Sequence, residues 1–196
     1  MQQATPGKLF IISAPTGGGK TTLVHRVLQQ LTDTHQLQKV ITFTTRPARH
    51  NERDGIDYHF ITPEAFRAKE SAGFFIETTT YDGYSYGSPH AVLESLKKGV
   101  SYILVTDRPG AKHIKQLYPA AILVWIGVPS IQAVCERLQK RGREDAEALQ
   151  KRMAMAADEI NAEEHEHLFD FHLINDNLEK TTQQLAQLIA SSLASS

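Results

Sequence analysis

The stretch Leu9-Phe10-Ile11-Ile12-Ser13-Ala14-Pro15-Thr16-Gly17-Gly18-Gly19-Lys20-Thr21-Thr22 decides the fold. Leu9–Ile12 is an unbroken apolar run and reads as a buried strand. The three glycines that follow let the chain turn tightly and aim several backbone N–H groups at one anion. Lys20, Thr21 and Thr22 then open an amphipathic helix with Leu23, Val24, Val27, Leu28 and Leu31 on one face. Strand, glycine-rich loop and helix in that order make a P-loop, so residues 14–22 are a candidate triphosphate cradle. Lys20 brings a mobile cation to the β- and γ-phosphates, and the Thr21 hydroxyl is a candidate Mg²⁺ ligand. The strict motif begins with Gly where this chain has Ala14, a methyl that fits only if φ there is negative. The alternative is a glycine-rich turn before an ordinary helix.

A chain of 196 residues is long enough for one sizeable domain and too short for two. Its apolar share of 41% and charged share of 22% are those of a soluble globular protein. A net charge of -1 leaves no basic footprint for nucleic acid, so a polyanion must be held by local clusters. The single cysteine, Cys135, excludes an internal disulfide and a cysteine-built zinc site; it lies in an apolar helical pattern and reads as packing. Met1–Lys8 has no apolar signal core, and no later run approaches a membrane span. The expected location is the reducing cytoplasm. His165 and His167 flank Glu166 without metal-ligand spacing, so they read as exposed polar positions.

Further along, Lys39–Phe43 reads as a second strand and Asp57–Ile61 as a short one. The polar loop between them carries Arg46, Arg49 and Arg53. Pro63 starts a short helix ending near Gly73, and residues 73–81 and 84–87 form a hairpin about Asp82-Gly83. Residues 42–88 therefore form a β-rich insertion. The core resumes with a helix over 89–98, a strand over 100–105, a helix over 110–117 and an apolar strand over 121–128. Helices over 130–140 and 146–159, a strand over 169–174 and a helix over 178–193 complete the chain, with 190–196 expected to fray. Alternating strands and helices imply an α/β fold with a parallel sheet.

Thr44-Thr45-Arg46-x-x-Arg49-x-x-Glu52-x-x-Gly55-x-x-Tyr58-x-Phe60 is the most specific stretch after the P-loop. Two arginines three apart and a tyrosine can converge on one phosphate, a second anion site; a solvated basic loop is the alternative. This stretch resembles the signature of guanylate kinases and meets every specified position. The resemblance runs from Leu9 to about Leu188 and includes Ala14 as a family variant of the P-loop, Tyr86-Gly87-Ser88, and a lid-like Arg141-Gly142.

The resemblance implies a P-loop nucleoside-monophosphate kinase fold, with core 8–41, 89–128 and 168–196, a GMP-binding part over 42–88 and a lid over about 137–155. It implies an ATP:GMP phosphotransferase working with Mg²⁺. Arg46, Arg49, Tyr58 and Tyr86 would hold the GMP phosphate, while Glu77 and Asp107, with Thr42 and Ser88, would read guanine. A carboxylate only accepts, which suits guanine N1–H and N2–H₂, and a hydroxyl can donate to O6. Arg137, Arg141 and Arg152 would serve the transferring phosphate beside Lys20. Two departures stand out: Val105 replaces an acidic residue usual in the family, and Arg108-Pro109 replaces an aromatic or Met followed by Gln. A ribose 1,5-bisphosphate kinase of the same fold family, or a scaffold module binding a phosphopeptide, are the rival readings. The expected ligands are ATP and GMP, with no nucleic acid or membrane partner, and the oligomeric state stays open between monomer and homodimer.

Overall fold

In the computed structural model, which describes residues 5–32, 34–141 and 146–195, the strand before the glycine loop is the centre of the core. β1 (Leu9–Ser13) is buried along its whole length. It pairs in parallel with β7 (Ser101–Val105) on one side and β8 (Ile122–Gly127) on the other. β2 (Leu37–Lys39) and β9 (Phe171–Ile174) form the edges, giving the order β2-β7-β1-β8-β9. Alternate side chains of β1 feed two apolar layers. Phe10 and Ile12 pack with Leu23, Val24 and Val27 of α1 (Lys20–Leu31) and Leu185 and Ile189 of α7 (Leu178–Ala194). Leu9 and Ile11 pack with Val92 and Leu96 of α3 (Ala91–Lys97) and Ala111 and Ile114 of α4 (Arg108–Leu117). Helices on both faces explain why these strands are continuously apolar.

A second sheet stands apart, in the order β4-β3-β6-β5. Its strands are β3 (Phe43–Thr44), β4 (His59–Phe60), β5 (Phe75–Tyr81) and β6 (Tyr84–Pro89). Asp82 and Gly83 close the β5–β6 hairpin with φ of 51° and 79°, the left-handed pair that suits the twist of a hairpin. This sheet has its own aromatic core. Phe66 of α2 (Pro63–Ser71) stacks on Phe75 at 4.7 Å between centroids, and Phe43 and Phe74 meet Phe75 edge-on.

Several expected boundaries move. Lys39–Phe43 is not one strand: Leu37–Lys39 pairs with β7, the chain then leaves the core, and Phe43–Thr44 joins the second sheet. An apolar run cannot show that its two ends belong to different sheets. Pro89 ends β6, so α3 starts at Ala91. α4 begins at Arg108, because Pro109 fits a first helical turn and Asp107 caps it by accepting from Gly110 N at 2.9 Å. The next two helices are α5 (Ile131–Arg141) and α6 (Ala146–Glu166), the latter continuing past Glu159 because its inward face stays anchored. The C-terminal segment does not fray at Ala190: α7 runs to Ala194, with Ser192 accepting a bond from Lys8.

Because Phe66 is 2% exposed, Phe66→Ala should cost the second sheet about 3–5 kcal/mol. Hydrogen exchange should then quicken in β3–β6 while β1, β7 and β8 keep their protection. Equal loss in both sheets would show that they unfold as one.

Candidate active site

The loop after β1 is shaped by glycine at defined points. Gly17 and Gly19 have φ of 73° and 91°, in the left-handed region. A Cβ on Gly18 would lie 2.8 Å from Ala14 Cβ, so Gly18 gives way where Ala14 carries a methyl. Among the described residues only Asp82 and His167 are non-glycines with positive φ. Ala14 therefore meets the condition its side chain sets. Gly18 N donates to Pro15 O at 2.9 Å, closing the turn. Lys20 Nζ reaches back to Ala14 O at 3.2 Å. Gly19 offers α1 no capping side chain, so the positive end of the helix dipole faces the cleft.

Two residues outside the motif hold the loop from behind, and the sequence reading missed both. Glu159 of α6 accepts from Thr16 N through Oε2 at 2.8 Å. Burial pushes its carboxyl above the usual range, and the nearby Lys20 charge opposes that rise. Asn175, directly after β9, donates from Nδ2 to Gly18 O at 2.9 Å. Its place at the carboxyl end of a parallel strand, where α/β folds bind ligands, was the available signal. Glu159 sits in a helix rich in charge, and no local pattern marks it out.

Across the cleft the loop between β3 and β4 presents its arginines. Arg46 is 9% exposed and makes a two-pronged ion pair with Glu52, both contacts at 2.9 Å. Its guanidinium lies 5.5 Å from the Tyr58 ring centroid. Arg49 reaches the same carboxylate at 3.8 Å and stays half-exposed. The ring of Tyr86 meets that of Tyr58 at 6.1 Å. Burial pushes the Tyr58 phenol upward, so it remains a neutral donor. Arg46, Arg49, Tyr58, Tyr86 and Thr42 line the same cleft as residues 15–22 and Arg152. The glycine loop and the arginine loop thus face one space.

Next to the cleft is a pair of carboxyl groups: Asp107 lines it, while Glu77 and Ser88 are buried behind it rather than on its lining. Glu77 is 4% exposed. Its Oε1 accepts from Ser88 Oγ at 2.7 Å, while Oε2 is buried with no protein partner. Burial pushes Glu77 up to about 7; the Ser88 hydroxyl works against the rise and the Asp107 charge adds to it. A bulge between Phe75 and Glu77 re-aims this stretch of β5. Gly87 accommodates the Phe75 ring, which a Cβ would meet at 2.8 Å, and a Cβ on Gly110 would stand 3.1 Å from Glu77 Oε2. Both glycines are therefore conditions for the carboxylate's position. Asp107 lines the cleft beside Val105 and Thr106.

The expected arginines divide. Arg152 lines the cleft. Arg137 lies behind the glycine loop and donates to Asn175 O. The Arg141 side chain and residues 142–145 lie outside the described residues. No helix is long and apolar enough to cross a membrane among the described residues.

A family model described as guanylate kinase matches residues 6–192. The chain is 40% identical to a guanylate kinase of Hahella chejuensis, over 91% of this chain and 84% of that protein. It is 38% identical to a guanylate kinase of Thermosynechococcus vestitus, over 97% of this chain and 98% of that one. The crystal structure of guanylate kinase from Anaplasma phagocytophilum superposes with a TM-score of 0.79 at 26% identity, covering 97% of this chain and 88% of that chain.

Glu77 gives this site a pH signature. Its folded value lies above the ordinary 4.5. It therefore contributes stability that is present at acid pH and is lost as pH rises to about 7. Glu77→Gln should remove that dependence. Chemical denaturation should find the variant more stable than the native chain by up to about 3 kcal/mol at pH 8, with the gap closing at acid pH.

Proposed function

The chain belongs to the guanylate kinase family, and from that premise we propose how its own residues phosphorylate GMP. It is an enzyme that transfers a phosphoryl group from ATP to GMP, giving ADP and GDP. The observation that carries the assignment of residues is the cleft itself: the glycine loop and the arginine loop face each other across it, Asp107 lines it, and the half-satisfied carboxylate of Glu77 is buried close behind Asp107 and Gly110. Residues 14–22 cradle the ATP phosphates. Arg46, Arg49, Tyr58 and Tyr86 hold the GMP phosphate, and Arg46 is aimed for this by Glu52. Glu77 and Asp107 accept from guanine N1–H and N2–H₂, while Thr42 and Ser88 supply hydroxyls. Adenine has no hydrogen on N1 and no N2 amine, so it would leave Glu77 Oε2 facing a lone pair, a costly arrangement for a buried acceptor.

In the transfer a GMP phosphate oxygen attacks the γ-phosphorus in line. The new O–P bond forms as the bond to the β-phosphate oxygen breaks, and ADP leaves with the electron pair. No general base is needed, because the attacking oxygen is already anionic. Lys20 and Arg152 stabilise the negative charge spread over the migrating group, while Arg137, held on Asn175 O away from the cleft lining, supports the segment after β9. Mg²⁺ travels with ATP. The donor set fits it: Thr21 offers a hydroxyl at the mouth of the loop, and a phosphate-bound Mg²⁺ needs only one or two protein oxygens. When bound, the ion neutralises charge on the β- and γ-oxygens. The Val105 side chain supplies no oxygen, so Thr21 would carry more of that task. The single cysteine, Cys135, suits a reducing, cytoplasmic setting.

A coupled ADP-release assay tests this reading. GMP should be turned over at least about 10³-fold more efficiently than AMP, CMP or UMP. Lys20→Ala should lower kcat by about 10²–10³-fold. Glu77→Ala should lower kcat/KM for GMP by a similar factor while leaving the KM for ATP unchanged. Equal rates with all four nucleotides would refute the guanine assignment.

A further inference from the structure

One face of α6 looks into the molecule through residues spaced three or four apart: Arg152, Ala156, Glu159 and Glu163. Arg152 lines the cleft, Ala156 is fully buried and Glu159 holds the Thr16 amide. Glu163 is 2% exposed and turns away from the substrates to meet Arg108, itself 8% exposed. Its Oε2 accepts from Arg108 Nε at 3.2 Å, and its Oε1 accepts from Phe169 N at 3.1 Å and faces His172 Nε2 at 2.9 Å. Arg108 also donates to Ala162 O at 3.1 Å and lies 3.3 Å from Glu166. In the chain Arg108 directly follows Asp107.

A buried ion pair is a poor source of stability, because desolvating both charges offsets most of their attraction. What a planar guanidinium held by several acceptors does supply is a fixed geometry. We propose that Arg108 and Glu163 form a positioning pair that sets the register of α6 against the core, so that Glu159 holds Thr16 and Arg152 reaches the transferring phosphate. The pair lies one turn beyond Glu159 and ties that register to the segment bearing Asp107. Its consequence for turnover rests on the kinase reading above; its structural effect does not.

Amide exchange at Thr16, compared with Ile11 in β1, measures the register without any reaction. In the full chain, Arg108→Gln should quicken Thr16 exchange at least tenfold and leave Ile11 within twofold. Arg108→Lys keeps the charge but not the fork, and should fall between. With ATP and GMP, kcat of Arg108→Gln should drop at least tenfold while KM for GMP changes less than threefold. Unchanged Thr16 exchange overturns the proposal, and so does a parallel rise at Thr16 and Ile11 in both variants, the mark of a merely structural pair. Faster Thr16 exchange with unchanged kcat refutes the link to catalysis. Failure of the unmodified chain to turn over GMP would sink the kinase reading and leave the amide result standing.

Discussion

A carboxylate oxygen buried without a partner is expensive, and this protein keeps one at Glu77. The second sheet is arranged around it. A bulge re-aims β5, Ser88 on the paired strand satisfies one oxygen, and Gly87 and Gly110 clear the space that their side chains would fill. Burial answers the cost by pushing the group up to about 7, so the free protein holds it partly protonated. A ligand with two adjacent N–H donors would relieve the unmet acceptor. The local arrangement is costly without ligand and well matched with it, which is how a site converts stability into specificity.

The core meets that site from the other direction. β1 lies at the middle of a parallel sheet, and every functional group the core contributes comes from the carboxyl edge: the glycine loop after β1, Asp107 after β7, Asn175 after β9. Helices cover both faces of the sheet and leave this edge open. α6 closes the arrangement from the side. Through Glu159 it touches the glycine loop, and through Glu163 it touches the segment that carries Asp107. The same helix therefore contacts both the loop after β1 and the segment after β7.

The glycine loop was legible because strand, loop and helix are contiguous and each glycine answers a local backbone demand. The arginines of the β3–β4 loop were singled out by their spacing and by the family signature, and the structure places Arg46 and Arg49 on the cleft. Glu77 and Asp107 carried no local mark; only the resemblance singled them out, since a carboxylate on a strand and another at a strand end are ordinary surface features. Glu159 and Asn175 were opaque for a different reason, and Arg108 stood out only as a departure from the family, without its partner Glu163. Each acts on a segment distant in sequence, as with Glu159 and Thr16, so no window along the chain contains both partners. The split of Lys39–Phe43 between two sheets escaped for the same reason: strand propensity says nothing about which sheet a strand joins.

The reading of Glu77 as the guanine acceptor is tested most directly by counting protons when GMP binds. Calorimetric titration in buffers of differing ionisation enthalpy does this without turnover. If Glu77 must ionise to accept from guanine, GMP binding should release about half a proton more at pH 7 from the native chain than from Glu77→Gln. That excess should grow as pH falls toward 6 and vanish above pH 8. Equal proton release from the two chains at every pH would contradict the account.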